Sequence, residues 1–404
     1  MIKEKYKNII LTIFSIFFSI FLLEVFITIF YNYDSDFTKK RYLIAKKQNI
    51  TFDKRSKVEF FNHIDDNDNK VIFHGIYDKA FIKKNKENLV YWNLGQVSNT
   101  LTVHCNEIGY MNTYISDRYG FNNKDFLWDK KIENILIGDS FVHGACVKNE
   151  KNISSNINSY GSSTLSFGLG GTGPLHQLAI LKEYYKLTKP KNVIYFYYED
   201  NDLKDLARSI SDVNLIKYLK PNYIQNIVNY QEEIDEHLTL EFKKILNTNP
   251  RKFGNSTIDV AQKKKINFTK NLIKILRLTE LRKFINFFLN ESFYLNKSNI
   301  DELGVLNYYK NIIVEMERYT RISGSNFIIV YIPSYQTFHY PFYDYKIKKD
   351  LKHFFSTNYN FIDLEKEIKK KFKYPKKVYP YELYGHFNEL GYQFISEIIF
   401  RNIR

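Results

Sequence analysis

The chain has 404 residues, with 59 Lys and Arg against 44 Asp and Glu, a net charge of +15 and two cysteines. That length suffices for one large domain with an insertion, or for two domains, each with a sizeable core. The positive balance suits anionic partners such as phospholipid head groups or acidic glycans. However, lysine is spread along the chain among abundant Asn, Ile, Tyr and Phe, which reads as compositional bias on a solvated surface. There is no P-loop, no Cys/His cluster with zinc-ligand spacing and no basic tract carrying a nucleic-acid module, so no metal, cofactor or nucleic-acid partner is expected.

Residues 9–30 form an apolar run interrupted by one charge, Glu24. Crossing a hydrocarbon core takes about 20 such residues. Lys3, Lys5 and Lys7 precede the run, and Asp34 and Asp36 follow it. The charge asymmetry predicts a cytoplasmic N-terminus, although Lys39, Lys40 and Arg41 blur it a little. No small-x-small cleavage site follows, so the run is read as an uncleaved, single-pass anchor (residues 1–33). The remainder is expected to face the periplasm or the exterior. Residues 34–104 read as a polar, aromatic-containing stem with short strands such as 71–77.

The stretch 133–147, ENILIGDSFVHGACV, reads as a strand at 133–137, a tight turn at Gly138, Asp139 and Ser140, and a helix from 141. Such a turn lifts a serine oxygen above a sheet edge, beside free N–H groups of the following helix turn. Gly, Asp and Ser are also ordinary turn residues, so the tripeptide alone fits a plain turn better. A glycine-rich loop follows at 166–174, then a β-branched and aromatic strand at 192–198 leading to Asn201. Further elements are a helix at 304–320, strands at 326–333 and 360–363, and a final helix at 388–402 preceded by His386. This alternation predicts an α/β fold, a parallel sheet with helices on both faces. Between 203 and 300 the pattern is helical and basic. Phe268, Leu272, Ile275, Leu276 and Phe284 recur at near-helical spacing, which fits packing against the domain better than a membrane-surface helix.

The ordered pieces Ser140, Gly171, Asn201 and His386 resemble the SGNH hydrolases (GDSL-type esterases and acyl-transfer domains) across roughly residues 105–404. The resemblance implies a flavodoxin-like sheet carrying a helical insertion at about 203–300. It also implies Ser140 as nucleophile, His386 as base, and the Ser140 N–H, Gly171 N–H and Asn201 amide as oxyanion donors. Asp117, Gly120, Phe121 and Asn122, with Gly144, Cys146 and Val147, match segments of the membrane-anchored members. Those proteins are associated with cell-surface polysaccharide systems. In the family an acidic residue stands two or three positions before the histidine, where this chain has Tyr384 and Leu383. Glu382 could orient the ring if the loop bends, or a backbone carbonyl could serve a Ser–His dyad. Ser166 stands where relatives often carry Asn, and His143 reads as a packing or rim residue. Both cysteines fall in the matching segments, and an oxidising compartment favours a Cys105–Cys146 disulfide. The alternative is two separate buried thiols.

The resulting expectation is a membrane-anchored esterase or O-acyltransferase acting on an acyl ester, most simply acetyl, of a cell-surface glycan. An inactive glycan-binding module and a structural member of a polysaccharide-assembly complex are the competing readings.

Overall fold

A computed structural model describes residues 2–30, 37–64, 71–76, 79–84, 87–92, 94–253, 277–279, 281–282, 302–339 and 347–404. The chain divides into two compact units, Met1–Phe37 with Asp259–Glu302, and Thr38–Ile258 with Leu303–Arg404.

In the first unit, helix α1 (Ile2–Phe30) contains a 21-residue stretch, Tyr6–Phe26, of mean hydropathy 2.6. At 1.5 Å per residue this is about 30 Å of apolar helix, long enough to cross a membrane. Its large side chains are exposed, Phe14 and Phe17 among them, whereas Glu24 is buried and accepts a hydrogen bond from the Leu281 N–H at 2.6 Å. The apolar stripe expected at Phe268, Leu272, Ile275, Leu276 and Phe284 lies outside the described residues.

The second unit opens with α2 (Phe37–Lys47) and α3 (Lys57–Ile64). Strands β1 (Val71–Phe73), β4 (Leu101–Val103) and β5 (Thr113–Ile115) make a small sheet in the order β1-β4-β5, while β2 (Lys79–Lys84) and β3 (Glu87–Trp92) form an antiparallel pair. From Thr38 onward, the segment read as a stem therefore belongs to the same unit as the rest. Its sheet also runs across the expected boundary at 104.

The main sheet has five parallel strands: β6 (Asn134–Gly138), β7 (Thr164–Gly168), β8 (Asn192–Tyr198), β9 (Asn326–Ile332) and β10 (Asn360–Asp363). The helices in chain order are α4 (Ser140–His143), α5 (Ile153–Ser159), α6 (Pro174–Thr188), α7 (Asp202–Ser209), α8 (Gln231–Thr248), α9 (Glu302–Ile322), α10 (Gln336–His339), α11 (Lys348–Asn358), α12 (Leu364–Lys371) and α13 (Glu389–Ile403). Strands buried on both faces read as continuous apolar runs, as NVIYFYY in β8 does. Leu136, Ile194, Phe196, Val330 and Ile362 join one core with Ile157 of α5 and Ile395 and Ile399 of α13. On the opposite face Tyr197 packs on Tyr309 of α9 and Phe355 of α11. Each such buried side chain contributes roughly 1.5–3 kcal/mol, offsetting the entropy of ordering the chain.

The spatial order is β7-β6-β8-β9-β10. Numbered by chain order within the sheet this is 2-1-3-4-5, a doubly wound arrangement whose order reverses between β6 and β8. Ligands of such sheets bind in the crevice beyond the carboxyl ends of the strands at this reversal. Residues 139–140 and 199–201 follow those two strand ends. Strand β7 went unpredicted because Ser166–Gly168 reads as part of the glycine loop, and the helix after Ser140 is a single turn stopped by Gly144 in the left-handed region (φ 80°).

Candidate active site

The nucleophile turn is built from short-range capping. Asp139 accepts the Phe141 N–H at 2.9 Å, which caps α4 and makes Ser140 its first residue. His386 arrives on the loop before α13. Phe387 is buried in the core, and Asn388 caps that helix by accepting the Gly391 N–H. The two elements meet where Ser140 Oγ lies 2.9 Å from His386 Nε2.

The other ring nitrogen, Nδ1, faces Glu107 Oε1 at 3.2 Å, and Glu107 Oε2 accepts the His386 backbone N–H at 2.8 Å. A carboxylate only accepts, so the ring proton belongs on Nδ1 and the Nε2 lone pair faces the serine hydroxyl. Arg41 stands behind Glu107, with Nη2 3.7 Å from Oε1 while donating to the Tyr384 carbonyl at 2.6 Å. Glycine at 385 lets the Arg41 and Glu107 side chains approach the loop. A Cβ there would lie 2.5 Å from both Arg41 Nη2 and Glu107 Oε2.

Charge reinforces this arrangement. Burial pushes the Glu107 carboxyl up, but His386 and then Arg41 outweigh it and hold the carboxyl down at about 2. Burial alone would lower His386, yet the Glu107 carboxylate, with help from Asp139, raises it above its ordinary value. Burial also raises Asp139 above the usual carboxylate range.

Glu107 is held near His386 by a covalent tie. Cys105, two residues earlier, is disulfide-bonded to Cys146, three residues past α4, with a Cα separation of 5.1 Å. Beneath the turn, Asp117 accepts hydrogen bonds from the Tyr119 and Phe121 N–H groups, from Asn123 Nδ2 and from Trp128 Nε1. Asn122 Nδ2 donates to the His143 carbonyl at 3.0 Å. The segment 117–123 thus braces α4 from below. Ser166 joins the brace by donating to the Val142 carbonyl at 2.8 Å.

Of the residues expected at the site, Ser140 and His386 are hydrogen-bonded. Asn201 is adjacent, its Nδ2 3.4 Å from Asp139 Oδ2, which in turn lies 3.5 Å from Ser140 Oγ. Gly171 is exposed in the turn before α6 with φ 74°, a conformation that favours glycine. Glu382 does not occupy the role considered for it: the carboxylate opposite Nδ1 is Glu107. The loop turns away at Tyr381 and Glu382, both at positive φ, and the Glu382 carbonyl accepts from the Tyr335 hydroxyl at 2.9 Å. Glu107 carried no spacing signal, being 33 residues before the serine. The pointer to it was the neighbouring Cys105.

A cavity of about 590 Å³, lined by Tyr110, Asn112, Tyr114, Lys148 and Glu150 among others, includes none of Ser140, His386 and Glu107. The reacting position is therefore set by the Ser–His contact and not by this cavity. His143 is buried against the rings of His74 and His104.

Fold and site together define a doubly wound α/β protein with a Ser–His–Glu hydrogen-bonded set at the sheet's switch point. No protein-family model and no curated protein matches the chain.

Proposed function

We propose that the chain is a membrane-anchored serine esterase or O-acyltransferase of the SGNH type, acting on an acyl ester, most simply acetyl, of a cell-surface glycan. The observation that carries this reading is the unbroken contact from Ser140 Oγ through the His386 ring to Glu107. Ser140 Oγ attacks the ester carbonyl while Nε2 takes its proton, and Glu107 stabilises the imidazolium that forms. The Ser140 and Gly171 N–H groups and the Asn201 amide are the assigned oxyanion donors, each worth about a hundred- to a thousand-fold in rate. The alcohol leaves with the proton returned by His386. Water or a sugar hydroxyl then attacks the acyl-serine, giving hydrolysis or transfer. The glycan substrate is an inference from family analogy. The disulfide and the apolar helix α1 support an anchor with the catalytic unit on the oxidising side of the membrane.

The test uses the full chain in detergent with p-nitrophenyl acetate and an O-acetylated polysaccharide. Acetate release abolished by Ser140→Ala is expected. A folded wild type that binds the polysaccharide but releases no acetate would favour the binding-module reading.

A further inference from the structure

We propose that His74, His104 and His143 form a three-histidine centre for one divalent transition-metal ion of zinc's class. This site shares no residue with the Ser–His–Glu set. The three residues are far apart in sequence, which is why linear spacing gave no ligand pattern and no metal was expected. The fold brings them together. β1 and β4 are parallel and pair Phe73 with Val103, so His74 and His104 leave the two strand ends at the same level. His143 is the last residue of α4.

The three ligand atoms lie within 4.8 Å of one another, and the ring centroids are 4.2, 4.3 and 4.7 Å apart. Zinc–nitrogen bonds of about 2.0–2.1 Å put tetrahedral ligand atoms about 3.4 Å apart, so the nitrogens need to converge by at most about 1.4 Å, by pivoting of the rings about their side-chain torsions. All three residues are over nine-tenths buried, at 8, 6 and 1% exposure.

Ring packing alone leaves polar groups unsatisfied. His143 Nδ1 faces the Gly168 carbonyl at 3.4 Å, which sets its proton there and leaves the Nε2 lone pair aimed inward. That Nε2 and His104 Nδ1 are both buried without a hydrogen-bond partner. Unpaired buried polar nitrogens are costly, and a cation satisfies both at once. The Tyr114 hydroxyl, 3.0 Å from His74 Nδ1, supplies the outer contact for the third ring. Burial, with smaller like-charge effects, lowers His74 and His104 well below the usual imidazole range, and burial lowers His143 to about 3. All three are therefore neutral, the ligand form, at neutral pH. Imidazole without carboxylate selects zinc, copper, nickel or cobalt over magnesium or calcium. The nearby group of Glu107, Cys146 and His386 is not a rival site, because the Cys146 sulfur is in the disulfide.

The test is elemental analysis of tag-free full chain, loaded with Zn²⁺ or Co²⁺ and dialysed. Expected are about one ion per chain, a four-coordinate Co²⁺ visible spectrum, loss of the ion in His74→Asn and His104→Asn, and retention in His386→Ala. Folded wild type that keeps no ion after loading overturns the proposal, as does a folded His104→Asn protein that binds like the wild type. Should the variants fail to fold, X-ray absorption on loaded wild type decides. A sphere containing three imidazoles supports the centre, and any other sphere overturns it.

Discussion

Glu107 Oε1 lies 3.2 Å from His386 Nδ1 although 279 residues separate them, and the same carboxylate grips the His386 backbone N–H. One side chain thus fixes both the ring and the loop that carries it. Glu107→Gln should lower kcat by up to about ten-thousand-fold, because the amide no longer stabilises the imidazolium or enforces the tautomer. The KM for a small ester should change little.

The pH profile follows from the same pair. Protonated His386 cannot accept the Ser140 proton, and its pKa is raised above 6.5. kcat/KM should therefore climb with pH through a midpoint above 6.5 and then level off. Glu107→Gln removes the raising charge, so the residual activity should show a lower midpoint. For stability the carboxyl has the opposite sign. Its folded value of about 2 contributes stability above its ordinary 4.5, lost as pH falls through about 2.

The Cys105–Cys146 bridge spans 41 residues and holds the Glu107 segment to the end of the nucleophile helix. Closing a loop of that size contributes about 3–4 kcal/mol in the chain-entropy model. Cys105→Ser with Cys146→Ser should lower Tm by several degrees. It should also lower kcat in the direction of Glu107→Gln, since the acid is then held only by Arg41 and His386. Paired melting and kinetic measurements on the double variant check both effects. Full activity in a folded, unbridged protein would separate the disulfide from the site.

Four of the five strands of the main sheet and the serine turn were legible because they rest on local signals. The run 192–198 coincides with β8, and the strand and helix at 326–333 and 388–402 fall within a residue or two of β9 and α13. The acid was not legible, because its role depends on a contact between distant segments that no periodicity encodes. β7 was missed because TLSFG is short and ends in glycine. The histidine cluster was missed because strand pairing between β1 and β4, not spacing, aligns its members.

Gly385→Ala tests the close approach at the loop. Its Cβ would meet Arg41 Nη2 and Glu107 Oε2 at 2.5 Å, so the carboxylate must shift away from His386. Activity should fall at least tenfold, since small misplacements of catalytic groups are costly, while circular dichroism stays unchanged.

Asp117→Asn tests the brace. Both Asp117 oxygens accept two hydrogen bonds, and an amide NH₂ in place of either would face donors. A loss of about 2–3 kcal/mol in denaturant unfolding is expected for this buried mismatch.

The central claim is that Ser140 is the nucleophile activated by His386. Labelling with a fluorophosphonate followed by peptide mass mapping tests it most directly. The account predicts one adduct, on the peptide containing Ser140, absent from Ser140→Ala and strongly reduced in His386→Ala. Equal labelling of Ser140→Ala, or an adduct on a different residue, would contradict it.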